Sequence, residues 1–386
     1  MKKSKRIQAI VFLGVAILAA LFIVVGNKLC SFTSMEVEDM VFYTADVVSV
    51  GEASIETYSM EDGSSIVENK QIPFNATFTS GPNKKAIFNG IQEINSMFAA
   101  QPREVEAGQK IIVSYELGAD VSDNRWIYIE HNRSNHLIML FLVFLCLIIL
   151  IGRSKGFGMI LSLCYIAGAI FLVYIPSILK GINVYLSTII ICAYIILVSL
   201  IIMNGANRKT LCAILGNVGG VLVAGLLAIL MNHLLNITGF IDEEYIFLTL
   251  MDSGAAINLR AVIWGSIVIG SLGAIMDVAM SIASAMNELA EHMERKSFSR
   301  LLKSGMNIGI DSIGTMTSTL ILAYIGGSLA MVLLLIAYNK NLLYLFNLEM
   351  IVVEVIQAII GSMGILFAVP VTALISAYIY NKEPSA

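Results

Sequence analysis

Two aspartates in apolar surroundings, Asp277 and Asp311, are the residues of this chain best placed to do chemistry. Each lies in an apolar stretch long enough to enter a lipid bilayer. There a carboxylate is costly and requires a partner, a cavity or water. A carboxylate in such a place can bind a cation or carry a proton. The sequence therefore predicts a cation- or proton-binding centre inside the membrane, and it leaves open whether a metal ion binds there.

Small and polar residues recur around Asp277 at intervals of 4, 3, 4, 4, 3 and 4 positions. At about 3.6 residues per turn, this spacing places them on one helix face. The set is Ser266, Gly270, Gly273, Asp277, Ser281, Ser284 and Glu288. The next apolar segment carries a matching stripe, formed by Asp311, Thr315, Thr319, Leu322 and Gly326. Two neighbouring helices are thus predicted to present their polar faces to a common site.

These stripes supply a set of candidate binding and pore residues. The hydroxyl groups could replace the lost hydration shell of a cation, so the predicted ion- or substrate-binding residues are Asp277, Asp311, Ser281, Ser284, Thr315, Thr319 and Glu288. The glycines permit close helix contact or leave room for a solute. The predicted packing or pore residues are Gly270, Gly273, Gly314, Gly326 and Gly327.

Structural explanations compete with this functional one. The glycines could be helix contacts, and the hydroxyls could bond to backbone carbonyls one turn away. If its helix begins near Ile308, Asp311 falls in the first turn, where a negative charge suits the helix dipole. Glu288 could be a solvated residue at the membrane surface. A second polar pair, Glu354 and Gln357, lies in the last apolar segment.

The composition places the chain among multi-pass membrane proteins. Of 386 residues, 57% are hydrophobic and 13% are charged, against about 25% charged in soluble domains. Mean hydropathy is +0.82. Residues 31–135 carry 16 acids and 7 bases, whereas the remainder carries 12 acids and 17 bases. This asymmetry argues against nucleic acid as a partner and indicates an acidic module outside the membrane. The five cysteines have neither disulfide nor metal-site spacing.

Three domains are predicted along the chain. Residues 1–30 form a membrane anchor, because an apolar run follows MKKSKR and is long for a signal peptide. Residues 31–135 form a small β-rich barrel or sandwich, with strands in MVFYTADVVSVGE, SSIVENKQI, NATFTS, QKIIVSYEL and RWIYIEH. A short helix is predicted over residues 91–100. Residues 136–386 form a seven-helix membrane domain.

The seven helices are predicted near residues 136–151, 157–179, 183–203, 211–235, 260–286, 308–338 and 350–380. With the anchor they make about eight spans. Lys and Arg concentrate in the stretches that alternation assigns to the cytoplasm, so both termini are predicted to be cytoplasmic. The connector ELAEHMERKSFSRLLKS between the two stripe-bearing spans is predicted to be an amphipathic helix on the inner leaflet.

The dense run GSLGAIMDVAMSIASAMNE from Gly270, followed by DSIGTMTSTLILAYIGGS from Asp311, resembles the YibE/F family of bacterial membrane proteins. The order of the segments, one anchor, a β-rich part and seven helices, also resembles that family. The resemblance implies the bacterial plasma membrane as the location and supplies motif positions. It implies no substrate, because the function of the family is poorly defined.

Three functions remain open from the sequence. The first is a secondary transporter or channel-like permease for a small ion or solute, without a cofactor and without enzymatic activity. The second is a membrane sensor or partner protein that acts through residues 31–135, alone or as a homo-oligomer or with another membrane protein. The third is an intramembrane aspartyl protease, which needs two carboxylates that share a proton. No P-loop, dinucleotide-binding or HExxH motif occurs in a credible context.

Overall fold

The computed structural model describes residues 2–31, 40–59, 66–96, 102–116, 126–241, 243–250, 257–293, 297–338 and 341–382. The chain divides into two compact units. One consists of Met1–Phe32 and Ile148–Ala386, and the other is Thr33–Leu147.

Eight helices of the described chain are long and apolar enough to cross a membrane, as the sequence predicts. The spans are Ile10–Cys30, Ser134–Arg153, Lys155–Leu179, Val184–Asn204, Arg208–Leu234, Leu259–His292, Phe298–Gly327 and Glu349–Asn381. The chain is therefore a multi-pass helical membrane protein.

The helices in chain order are α1 (Lys2–Cys30), α2 (Ser134–Ala169), α3 (Ile175–Leu179), α4 (Val184–Asn204), α5 (Arg208–Leu234), α6 (Glu243–Leu250), α7 (Leu259–His292), α8 (Phe298–Gly327), α9 (Leu329–Tyr338), α10 (Leu342–Leu345) and α11 (Glu349–Asn381). A π-helix, Ile170–Tyr174, joins α2 to α3. Arg153 interrupts α2 with non-helical backbone angles, φ 48° and ψ −127°, so the second and third spans meet there.

The connector before α8 differs from the prediction. Its described residues do not form a separate helix, because α7 continues to His292 and α8 begins at Phe298. Leu301 is fully buried, and burial of this apolar side chain fixes the first turn of α8 against the bundle. The predicted helix over residues 308–338 is likewise two helices, since α8 ends at Gly327 and α9 begins at Leu329. Two consecutive glycines at this point weaken the helix.

Close packing at glycines holds α5, α7, α8 and α11 together. A Cβ atom added to Gly220 would lie 2.8 Å from Cγ2 of Ile275 and 2.9 Å from Cβ of Ala368. One added to Gly216 would collide with Thr372. These contacts explain why the helices approach so closely.

The β module is defined as residues 40–131, and its described residues form six strands. They are β1 (Met40–Val50), β2 (Ser54–Ser59), β3 (Ile66–Phe78), β4 (Ile87–Asn95), β5 (Lys110–Glu116) and β6 (Trp126–His131). The order is β1-β5-β6-β4-β3-β2, and an additional pairing of β1 with β3 closes the sheet into a barrel. The pair β4–β6 is parallel. The interior is apolar, with Phe74, Phe78, Ile111 and Val113 among its buried residues.

Two predictions for the β module are wrong in detail. Residues 91–95 belong to strand β4 instead of a helix, because Gln92 and Ile94 alternate inward with period two. The predicted strands in SSIVENKQI and NATFTS are one strand, β3, which runs through Pro73. Strand β2 was not predicted.

A buried glutamine ties a loop to the barrel. The Gln92 side chain is fully buried; its Nε2 donates to the Arg103 carbonyl at 2.9 Å, and its Oε1 accepts from the Val105 amide at 2.8 Å. Replacing Gln92 by Leu leaves both backbone groups without these partners. We expect the β module to lose about 1–3 kcal/mol of unfolding free energy, measured by urea titration of a fragment of residues 33–133.

Gln71→Leu is the matched control, because the Gln71 amide bonds to Glu93 at the surface at 3.2 Å. We expect a change within about 0.5 kcal/mol. Equal losses in the two variants would contradict a structural role for the buried amide.

Candidate functional site

Helix α7 carries its polar stripe on the side opposite its packed side. Its start is capped by Asn258, whose side chain accepts a hydrogen bond from the Ala261 amide at 3.1 Å. Ile267, Ile275 and Ile282 are fully buried against the rest of the bundle. The exposed residues of the predicted stripe are Gly270, Gly273, Asp277, Ser281 and Glu288, whereas Ser266 and Ser284 are partly buried.

Asp311 lies thirteen residues after the first residue of α8, Phe298. The explanation that it caps the start of its helix is therefore wrong, because α8 begins about three and a half turns earlier. Leu301, Gly305 and Gly309 are the buried residues of α8. The exposed residues of its outward side include Asp311, Gly314, Thr315, Ser318, Thr319, Leu322, Gly326 and Gly327.

Contacts between the two antiparallel helices set their relative depth. A Cβ atom added to Gly305 would lie 3.0 Å from Sδ of Met286, and one added to Gly309 would lie 3.2 Å from Cδ1 of Ile282. Counting along the helices from these contacts places Asp311 level with Met280. Asp277 and Asp311 therefore differ in depth by about one helix turn.

In a single copy of this chain the stripes of α7 and α8 lie open instead of being enclosed by other described helices. Both aspartates are exposed, and nothing lies within 4 Å of a Cβ atom added to Gly273 or Gly314. The same holds for Gly326 and Gly327. The physical reason is that the large aliphatic side chains of α7 fill the bundle interior and leave the polar stripe outside.

Gly270 is the exception among the stripe glycines. A Cβ atom added there would lie 2.6 Å from the hydroxyl oxygen of Tyr324 on α8. Gly270 therefore serves as a helix contact, in agreement with the packing interpretation at this one position.

The hydroxyl groups of α8 bond to their own helix. Thr315 donates to the Ser312 carbonyl at 3.0 Å, and Thr319 donates to the Thr315 carbonyl at 2.8 Å. This agrees with the structural explanation of these residues. Each hydroxyl oxygen keeps lone pairs that point away from its helix, so the same groups can still coordinate a cation. Glu288 lies four residues before the last residue of α7.

A second polar region lies where α8, α9 and α11 meet. A groove of about 260 Å³ is lined there by Glu354 and Tyr324 among mostly apolar side chains. Nearby, Nε2 of Gln357 donates to Oγ of Ser266 at 2.9 Å. The spacing of Glu354 and Gln357 in the last apolar segment pointed to this region. The contribution of Tyr324 to the lining of the groove was not predicted.

A third polar cluster, absent from the sequence predictions, joins the C-terminal ends of α7 and α11. The hydroxyl of Tyr380 donates to Oδ1 of Asn287 at 2.9 Å, and Nδ2 of Asn287 donates to Glu291 at 2.7 Å. The four-residue spacing of Asn287 and Glu291 was the available signal. Among the described residues, no group of three or more His, Cys, Asp or Glu side chains could hold a metal ion.

Comparison with known proteins identifies a family. The model of a family described as YibE/F-like protein matches residues 140–382, which include both stripes. No curated protein and no solved structure gives a significant match.

Proposed function

Since this chain belongs to the YibE/F-like protein family, whose description states no activity, we propose its function from its membrane-embedded residues. The chain is a permease that passes a small cation or protons along the polar stripes of α7 and α8. Asp277 and Asp311 form the charged centre, and Ser281, Ser284, Thr315 and Thr319 supply neutral oxygen ligands. The chain carries out no covalent chemistry.

The position of the two carboxylates carries this proposal. Both lie well inside long apolar helices, and their depths differ by about one turn. In membrane proteins, ionisable side chains at such depth occur mainly along ion and proton pathways. The glycines beside them leave open space on the same helix sides, which favours a path over a sealed ion pair.

The proposed location is the bacterial plasma membrane, with both termini cytoplasmic and the β module outside. Eight spans return the chain to the side on which it starts. The basic residues near Arg6, Arg153, Arg208 and Arg300 fit the cytoplasmic side of this arrangement. The excess of acids in residues 31–135 would then concentrate cations near the outer membrane surface.

Flux through the purified protein in liposomes tests the proposal. Proton flux is followed with an internal pH dye, and Na⁺ or K⁺ flux with ion-sensitive dyes, each under an imposed gradient. We expect flux above that of empty liposomes for at least one of these ions. Parallel liposomes with the Asp277→Asn, Asp311→Asn double variant are expected to match the empty liposomes. Wild-type flux that the double variant retains would contradict the proposed centre.

A further inference from the structure

The outward sides of the other membrane helices are suited to lipid. On α5 they present Leu222, Leu226 and Ile229, all exposed. On α11 they present Leu366 and Phe367. Lipid tails are as apolar as these side chains, so such surfaces need no protein partner.

The stripes of α7 and α8 differ from these apolar surfaces because they expose polar side chains. Asp277, Ser281 and Asp311 are exposed at membrane depth in a single copy of the chain. Hydrocarbon offers no hydrogen bonds, and each polar group left there costs several kcal/mol. The stripes therefore require a partner molecule that covers them and supplies polar groups. The open space above Gly273 and Gly314 would let another helix approach closely.

Charged side chains at the cytoplasmic ends of α7 and α8 indicate which molecule covers the stripes. Counting from the contact of Gly305 with Met286 places Glu288 of α7 level with Lys303 of α8. Both side chains are exposed, and neither forms an ion pair with another described residue. A second copy in the same orientation brings its own Lys303 to this level. The surface is thus complementary in charge to itself.

We propose that a second copy of this chain covers the stripes of α7 and α8, with a two-fold axis along the membrane normal. In this homodimer, Glu288 of each copy pairs with Lys303 of the other. The hydroxyls of α8 face polar groups instead of lipid. The four aspartates come together in a layer about one turn thick, and their repulsion is relieved by the cation or protons of the proposed function, on which this last point rests.

Cysteine cross-linking in native membranes tests the interface. The exposed cysteines Cys146 and Cys164 are first replaced by Ala. Single cysteines are then introduced at Gly273, Ser281, Gly314 and Ser318, with Leu226→Cys on α5 as the matched lipid-facing control. We expect a dimer band with copper phenanthroline or a short bis-maleimide at two or more stripe positions and none at Leu226. A disulfide requires Cα atoms within about 7 Å, so such bands locate the axis.

Two further measurements apply even if a cysteine variant fails to accumulate. Single-molecule photobleaching of the otherwise unaltered chain in dilute liposomes should give two steps per particle. Glu288→Lys and Lys303→Glu should each lower the dimer fraction at least about threefold, and the double variant should restore it. Single-step particles or a cross-link to a different polypeptide would overturn the homodimer. Dimers without flux would overturn the proposed function alone, and flux from single copies would overturn the interface alone.

Discussion

Asp277→Asn is expected to lower cation or proton flux by about 10- to 100-fold while the protein still accumulates in the membrane. Asparagine keeps the size of the side chain but carries no charge and exchanges no proton. Interactions with a charged group are typically worth about 1.5–3 kcal/mol, and each 1.4 kcal/mol changes a rate about tenfold. The measurement is the initial rate in liposomes of matched protein content. Because Asp277 is exposed on its helix, folding should be little affected.

Three companion variants separate charge from position. Asp277→Glu keeps the charge and should retain more flux than Asp277→Asn. Glu52→Gln removes an exposed carboxylate from the β module and should leave the rate within about twofold of wild type. Glu354→Gln removes the acid of the groove beside α11. Should Glu354→Gln abolish flux while Asp277→Asn does not, the path would lie in that groove and the proposed centre would be wrong.

The helix faces could be predicted from sequence because their cause is local. Spacing of three and four residues fixes which side chains share a side of α7, and the exposed set from Gly270 to Glu288 follows it closely. The number of spans could also be predicted, since a membrane helix needs about 20 apolar residues. The family resemblance at these same residues is confirmed by the match over residues 140–382.

The direction in which those faces point could not be predicted, because it depends on packing between distant segments. Nothing in the order of residues reveals that Ile275 packs against Gly220 and Gly364, which turns Asp277 outward. The start of α8 was misplaced for a related reason. Charged residues around Leu301 suggested a surface segment, whereas burial of that one side chain extends the helix to Phe298.

Gly309→Leu is expected to destabilise the membrane domain more than any substitution on the outward stripes. A Cβ atom at Gly309 would already collide with Val369 of α11 and lie 3.2 Å from Cδ1 of Ile282 of α7. Overpacking costs about 3 kcal/mol at the upper end of its usual range. Removing a helical glycine returns about 1 kcal/mol. The net loss of about 2 kcal/mol should lower the Tm by about 4–8 °C.

Gly326→Leu is the matched control, since it makes the same replacement in the same helix at a position with nothing within 4 Å of an added Cβ atom. Its Tm in detergent should not fall, and the roughly 1 kcal/mol gained by removing a helical glycine should raise it by at most about 4 °C. The measurement is fluorescence-detected size exclusion after heating, on both variants side by side. Equal Tm values for the two variants would mean that α8 does not pack on α7 and α11 through Gly309. The relative depth of Asp277 and Asp311, which rests on that contact, would then be wrong as well.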